Sequence, residues 1–600
     1  MCGIAGVIGG TVDTNTKEKM LATMERRGPD GQGTYTYQDC TLLHTRLAII
    51  DPVGGRQPMA LSWGQDKLVI TYNGELYNTQ ELRTALQLAG HVFRTKSDTE
   101  VVLHAFAQWN EECLTRLNGI FAFAIWSERD KRLFIARDRM GVKPLFYTKQ
   151  SGLFVFGSEI KTLLAHPQID ARVGSDGISQ LILLGPGRIP GYTAFEDICE
   201  LLPGECGWYR NGKLEMHRYW TLTDRPHEDS FAQTVEKVRY LVKDAITRQM
   251  VSDVPIGTFL SGGLDSSIIS AVCANNWEGQ LQTFSVGYKN NDLYFKPGKF
   301  QPDQDDRYIM QMQRHIGSCH RTTILTAEEL LANLKAATEA RDLPGMADVD
   351  FSLLAFCKDV KKHVKVVLSG ECADEMFGGY PWFRDKEVRD QAGFPWSQNA
   401  AYRKSFLKDN CQVREELVSD LYRDTVKGCD ILPGTDGVDR RTKEMVVLNI
   451  YWFMQTLLDR KDRMSMYNGL EVRVPFCDHR IAEYLYTVPW EMKDHMGREK
   501  GLLRAAVEGL LPETVLWRKK SPYPKTHDPH YTALVHSAME EVLQKSDARL
   551  WDIVEKDKLK KLLSDEQPWP WYGQLMTGPQ TVAYFLQLEH WLTHYKVKLI

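Results

Sequence analysis

Long apolar runs are missing from this 600-residue chain, and the most continuous, such as GIFAFAIW near 119–126, falls far short of a membrane span. Nothing near the N-terminus has the basic-then-apolar layout of a secretory signal. Neither sign of charge is in excess: Lys plus Arg is 74 and Asp plus Glu is 78, for a formal net charge of −4. That balance removes the electrostatic case for nucleic acid or an anionic membrane as the main partner. The 12 cysteines are scattered and never form a CxxC pair. They read as reduced, mostly buried thiols of a cytoplasmic protein. His315, Cys319 and His320 stand close together but match no zinc spacing, so helix-surface or core positions are expected for them. Internal repeats and low-complexity segments are absent as well.

What is present is ordinary soluble-globular composition, 43% hydrophobic and 25% charged, in a chain too long for one core. The first 220 residues alternate short strands with a few helices. GIFAFAIW, RLFIARD and GLFVFGSEI are strand-like. NTQELRTALQLAG reads as a helix capped by Asn78, with Leu82, Leu86 and Ala89 as its apolar stripe and Gly90 as its end. DTEVVLHAFAQWN reads as another, with an acidic first turn. This mixture is α+β with layered antiparallel sheets. The polar, Pro-interrupted YWTLTDRPHEDS follows, and with it a linker at 221–230. After the helical FAQTVEKVRYLVKDAITRQM, the order VPIGTFL, SSIISAVCANNW, LQTFSVGY is strand, helix, strand. That is the βαβ unit of an α/β domain with a parallel sheet, to which VKVVLSG adds a strand. From about 380 onward the chain reads as mostly helical. Two domains result, 1–220 and 231–600.

FLSGGLDSSIIS places a glycine pair between strand and helix, where the backbone comes close to an anion and free N–H groups face it. A lone SGG is more often a flexible turn, and no lysine follows as in a P-loop. The position at a strand's carboxyl end inside βαβ favours phosphate. SGGLDS resembles the pyrophosphate loop of the ATP pyrophosphatases. That likeness implies an ATP site at Leu260, Ser261, Gly262, Gly263, Leu264, Asp265, Ser266, Ser267, Val286, Ser369 and Gly370, with Mg²⁺ on Asp265 and Asp374. In SGECADEMFGGY, Glu371, Asp374 and Glu375 crowd a strand end, a cost that a metal or cationic partner would offset. By the same likeness Glu371 assists formation or resolution of an adenylate, and Lys500 in GREKGLLR stabilises charge on phosphorus. The run DRKDR (459–463) reads as a salt-bridged helix face.

In the first half, Cys2 directly follows Met1, Arg46 offers a fork for a carboxylate, Asn73-Gly74-Glu75 lies at a strand end, and Asp98 starts a helix. Singly these are packing, an ion pair, a tight turn and a cap. Together with RRGPDG (26–31) they resemble the class II glutamine amidotransferases, which are N-terminal nucleophile hydrolases. That resemblance implies loss of Met1, attack by the Cys2 thiolate on the glutamine amide, and the free α-amine as base. It also implies an oxyanion hole of Asn73 and Gly74. Glutamine would be held by Arg46, Leu47, Ala48, Ile49, Ile50, Asn73, Gly74, Glu75 and Asp98.

The two halves in one chain resemble the glutamine-hydrolysing asparagine synthetase family over nearly the whole length; YWFMQTLLDRKDRMSMYNGLEVRVPF fits its C-terminal region. The implied substrates are glutamine, aspartate and ATP; a homodimer is left open. Two departures concern the acceptor: RDLPGMADVD (341–350) lacks the family's Thr-Thr-x-Arg segment, and Cys372 replaces a glycine of the acidic motif. Another carboxylate such as diaminopimelate in a cell-wall precursor is the alternative acceptor, and SPYPKTHDPHY after 520 has no assigned role. Glucosamine-phosphate synthases and phosphoribosyl amidotransferases would lack SGGLDS, and β-lactam synthetase has no need of Cys2. A non-catalytic sensing or scaffolding protein is the remote alternative, opposed by the full set of nucleophile, oxyanion and nucleotide elements.

Overall fold

The computed structural model describes residues 2–298, 303–565, 567–573 and 576–600. Two six-stranded antiparallel sheets form the N-terminal region. One is ordered Ile198–Glu200, Phe146–Gln150, Leu153–Gly157, Gly3–Ile8, Cys40–Arg46, Gly31–Tyr37; the other is Lys213–Arg218, Glu205–Arg210, Arg132–Arg137, Gly119–Ser127, Asp66–Leu76, Met59–Trp63. Ile4, Ile8 and Phe156 of the first sheet meet Val69, Ala124 and Ile135 of the second in one apolar layer. The helices Thr79–Leu88 and Asp98–Trp109 cover the outer face of the second sheet. With both faces covered, Gly119–Ser127 is buried almost throughout, which explains its unbroken apolar run.

Asn78 does not cap the helix Thr79–Leu88: its side chain instead donates to the Arg116 carbonyl and accepts from the Asn118 N–H. Ala89 falls just outside that helix and is exposed, leaving Leu82 and Leu86 as the buried stripe.

The second region is built on a five-stranded parallel sheet ordered Cys319–Leu325, Gln282–Tyr288, Ile256–Phe259, Val366–Leu368, Glu471–Arg473. The chain leaves Ile256–Phe259 toward one edge and later returns to its other side, so the order reverses between that strand and Val366–Leu368. The loops after these two strands therefore open a crevice at the sheet's carboxyl edge, where ligands bind in this architecture. The expectation of helix after 380 misses Glu471–Arg473. Charged residues occupy two of its three positions on this edge strand, and they are tolerated in a buried setting because Arg473 Nε contacts Glu471 Oε1 at 2.6 Å.

The DRKDR run is likewise not a solvated face. Asp459, Arg460, Lys461, Asp462 and Arg463 of the helix Met454–Met466 are all buried. Their partners come from both regions: Arg188 and Arg341 meet Asp459, and Arg27 and Lys143 meet Asp462. Segment 221–230 has no regular structure, yet Asp224 is fixed by Lys443 and by the Leu432 N–H. The C-terminal Lys598–Leu599 pairs in parallel with Arg172–Val173 of the first region.

The cysteines are not uniformly thiols. Cys372 and Cys477 form a disulfide with Cα atoms 5.6 Å apart, across a sequence separation of 105 that leaves no local pattern to read. The other cysteines are free. Cys372 sits at φ +77°, the left-handed backbone that glycine adopts without cost. His320 lies in a strand between Thr283 and Ser285, kept neutral by burial with its pKa down to about 4, and His315 bonds the Leu510 carbonyl. No helix among the described residues is long and apolar enough to cross a membrane.

Candidate functional site: a buried cysteine and a nucleotide-type crevice

Cys2 stands just ahead of the strand Gly3–Ile8, opposite the end of Asp66–Leu76 from the other sheet. Its N–H donates to Asn73 Oδ1 at 3.0 Å, while Asn73 Nδ2 is buried and has no hydrogen-bond partner among the described residues. An unpaired amide donor beside a thiol is what an oxyanion hole requires. At Gly74 a Cβ would lie 2.4 Å from the Ile120 carbonyl oxygen, so only glycine fits against that neighbouring strand. Burial pushes the Cys2 thiol up, whereas the Leu47 N–H and the Arg46 charge pull it down. Met1 lies outside the described residues.

The surrounding set is assembled by the loop after Cys40–Arg46. The Arg46 guanidinium donates to the carbonyls of Asp51 and Pro52, each at 2.6 Å, which fixes its direction. Leu47, Ala48 and Ile49 are buried and Ile50 half-buried; Asp30 of the RRGPDG string accepts from the Ala48 N–H at 2.9 Å. Arg27 of the same string donates from Nε to the Cys2 carbonyl at 3.2 Å. Asp98 accepts from Tyr72 Oη and from the N–H groups of Leu76 and Thr99, tying the helix start to the Asn73–Leu76 strand end. Ser97, not Asp98, caps that helix. Glu75 is buried, and burial, reinforced by Glu471, drives its carboxyl well above the usual range against the opposing charge of Arg473. Arg473 reaches it at 3.4 Å from the other region, a contact hidden from sequence by distance along the chain.

The second centre is a cavity of about 210 Å³ in the crevice of the parallel sheet, walled by Leu260, Ser261, Gly263, Leu264, Asp265, Ser266, Val286, Ser369 and Gly370. Gly262 and Ser267 stand behind the wall. Gly262 has φ +67°, and a Cβ there would sit 2.6 Å from Tyr308 Cβ; the Ser267 side chain is fully buried. Ser266 Oγ bonds the Ser261 N–H and side chain, holding the loop's curve.

Glu371 and Asp374 face the same cavity, and lysines supply the cationic partners that their crowding demands. Lys461 Nζ lies 2.6 Å from Glu371, and Lys500 Nζ lies 2.6 Å from Asp265 and 2.8 Å from Asp374. Lys520 also contacts Asp374. Burial raises the Asp374 carboxyl, but Lys500 and Lys520 outweigh it and hold it well below its ordinary value. Glu371 is likewise lowered, burial being overcome by Lys461 and Arg460. Glu375 pairs with no lysine among the described residues: burial and the neighbouring Asp374 raise it to about 8, and it accepts from Tyr380 Oη at 2.7 Å. A single ammonium lying between Asp265 and Asp374 marks a position where positive charge is favoured, and hard carboxylate oxygens suit Mg²⁺. These two residues fit the ion.

Sequence reading missed most of the remaining wall. Arg518 braces the loop by donating to the Ser261 carbonyl and to Asp305, and Lys519, Lys520 and Ser521–Pro524 complete the cavity. The signal was present as three consecutive cations ahead of a Pro-x-Pro turn, RKKSPYP. In RDLPGMADVD, Arg341 is buried against Asp459 and the Pro186 carbonyl and does not line this cavity. Asp348 accepts from Gln580 and is raised by burial to about 6.

Comparison with known proteins follows the same division. A glutamine amidotransferase domain family matches residues 1–220, and the asparagine synthase family matches residues 237–593. Asparagine synthetase [glutamine-hydrolyzing] 3 of Bacillus subtilis is 46% identical, with all of both chains covered. Asparagine synthetase [glutamine-hydrolyzing] 1 of the same organism is 30% identical over 94% of this chain and 93% of its own. Among solved structures, the glutamine phosphoribosylpyrophosphate amidotransferase of B. subtilis overlaps 54% of this chain and 65% of its own at 16% identity and TM-score 0.29, too slight a likeness to weigh. A buried cysteine with an open amide donor, a nucleotide-type crevice and full-length kinship together place this chain in the family of glutamine-hydrolysing asparagine synthetases.

Proposed function

We propose that the chain converts aspartate, glutamine and ATP to asparagine, glutamate, AMP and pyrophosphate. The pairing of Cys2 with the unpartnered Asn73 amide, in one chain with the lysine-lined crevice, is the observation that carries this reading. The division of labour is 1–220 for glutamine hydrolysis and 231–600 for synthesis, joined at 221–230. Cys2 passes its proton to the α-amine freed by loss of Met1, and its sulfur attacks the glutamine amide carbon. Asn73 Nδ2 and the Gly74 N–H receive the oxyanion. Arg46 holds the α-carboxylate, Glu75 and Asp98 hold the α-ammonium, and Leu47–Ile50 shape the slot. Ammonia leaves with the proton returned by the amine, and water then releases glutamate from the thioester.

At the crevice the Ser261–Ser267 loop cradles the pyrophosphate of ATP, with Leu260, Val286, Ser369 and Gly370 placing the nucleoside and α-phosphate. Asp265 and Asp374 would hold Mg²⁺, which when bound supplies charge neutralisation along the phosphates. Lys500 stabilises charge at the attacked phosphorus as an aspartate β-carboxylate oxygen displaces pyrophosphate. Glu371 assists the adenylate's formation and its resolution by ammonia, which expels AMP. The protein acts in the cytoplasm, and a homodimer is compatible with this reading.

Pyrophosphate release, with glutamine and ATP saturating, tests the acceptor. A signal with aspartate and none with diaminopimelate is expected; the reverse would transfer the reading to a cell-wall carboxylate. Cys2→Ala should lose glutaminase activity. Equal inactivity of the parent chain would leave only a sensing or scaffolding role.

A further inference from the structure

We propose that Glu339, His590 and His594 form a binding site for a borderline first-row divalent cation such as Zn²⁺. The site shares no residue with either centre and lies where the last long helix packs against the helix Leu334–Arg341. His590 and His594 are four residues apart on Pro579–His594, so their rings project from one helix face. Their centroids are 5.3 Å apart. Glu339 comes to them from the neighbouring helix. His590 Nε2 lies 3.0 Å and His594 Nδ1 lies 3.7 Å from Glu339 Oε1, and all three donor atoms fall within 4.8 Å of one another. Ligand atoms around a four-coordinate zinc are separated by about 3.3 Å, given bonds of about 2.0–2.1 Å. The measured spacings bracket that value. The His594 side chain is 43% exposed, which leaves room for solvent in the fourth position.

The two ligand-bearing helices are already fastened to each other on both sides of the cluster. Gln587 Nε2 donates to Thr338 Oγ1 at 3.1 Å, and Trp591 Nε1 donates to the Asp342 carbonyl at 2.8 Å. Lys161 Nζ holds the Glu339 carbonyl at 2.9 Å from the N-terminal region. Little rearrangement is then needed to exchange the His–Glu hydrogen bond for a shared ion. The other His/Cys/carboxylate group among the described residues, Glu111, Cys206 and His217, is less suited. Glu111 is occupied by the Trp208 N–H, and burial drives the Cys206 thiol up to about 12, away from the thiolate that zinc takes. An ion at Glu339 would staple the C-terminal helix to the contact between the two regions, so its effect falls on stability rather than on turnover.

The test titrates metal-free, nucleotide-free protein with Co²⁺ and then Zn²⁺, following visible absorption and Tm. The expected result is one Co²⁺ per chain with a low-symmetry visible band, displaced by Zn²⁺, and a rise in Tm. His590→Gln/His594→Gln should weaken binding at least about tenfold, a loss seen even when only an outer partner of a metal ligand is removed. That variant should keep ammonia-dependent synthesis. If it misfolds, Glu339→Gln serves as the variant read by the same titration. No binding by the parent chain, equal binding by the variants, or loss of binding in Cys206→Ser instead would each overturn the assignment.

Discussion

Asn73 keeps one amide atom on the Cys2 N–H and leaves the other buried without a partner among the described residues. Such a donor is normally costly to bury, and its use arises when an oxyanion forms beside it. Asn73→Ala should lower glutamine-dependent kcat by about 10²–10³-fold. Synthesis from free ammonia should be preserved, and parallel loss of both rates would assign Asn73 to packing instead. Glu375 makes a different prediction. Its carboxyl titrates near 8 when folded, against an unfolded value of about 4.3. The folded state therefore holds a proton that the unfolded chain has released, so stability falls as pH rises between those values. Thermal unfolding of Glu375→Gln should show a flatter decline from pH 6 to 8 than the parent; superimposable slopes would refute it.

At the scale of elements, Met454–Met466 shows how a charged sequence can be a core helix. Lys461 projects from it onto Glu371 at 2.6 Å and keeps that acid ionised despite burial. Lys461→Met removes the stronger of the two attractions that offset burial and leaves only Arg460, so the Glu371 carboxyl rises. Pyrophosphate release with saturating glutamine should then lose activity toward the acid end of its pH range and recover as pH rises, because a raised carboxyl needs a higher pH to ionise. An unchanged pH profile would show that Glu371 does not act as an anion. Much of the site was legible because its chemistry sits in local strings at strand ends: SGGLDS, NGE and SGE need glycine and small polar groups where the backbone meets a ligand. The strands Ile256–Phe259 and Gln282–Tyr288 were legible from branched and aromatic residues. Glu471–Arg473 and DRKDR were not, because charges in a sequence advertise solvent and only distant partners reverse that reading. Cys372–Cys477 was hidden for the same reason, being defined by what lies across the fold, and the Arg518–Pro524 wall had only its three cations before a Pro-x-Pro turn to announce it.

Across the whole molecule, Asp462 gathers Arg27 at 2.8 Å and Lys143 at 2.9 Å, both from the amidotransferase region. Those two cations overcome burial and hold its carboxyl far below the ordinary range, and Asp459 is lowered to about 2 against burial by Arg188, Arg463 and Arg341. Depressed carboxylates contribute stability above their unfolded value of about 3.9 and lose it as pH falls toward the folded value. Asp462→Asn should cost about 3–5 kcal/mol, the scale for stranding buried charges. Since Arg27 also holds the Cys2 carbonyl, glutamine-dependent activity should fall more than ammonia-dependent activity. Denaturant unfolding together with the two assays checks both parts, and a loss under about 1 kcal/mol would mean the pairs are effectively solvated.

Glu75 and Arg473 are two halves of one buried contact drawn from opposite regions. Arg27 with Asp462 and Lys161 with Asp342 repeat that arrangement. Recombination that exchanged one region for a homologue's would leave cations and anions facing unmatched residues in a dry interface. A substitution at 75, 27 or 161 is therefore expected to call for a compensating one at 473, 462 or 342, and paired substitutions at these positions are where a viable chimera would have to begin.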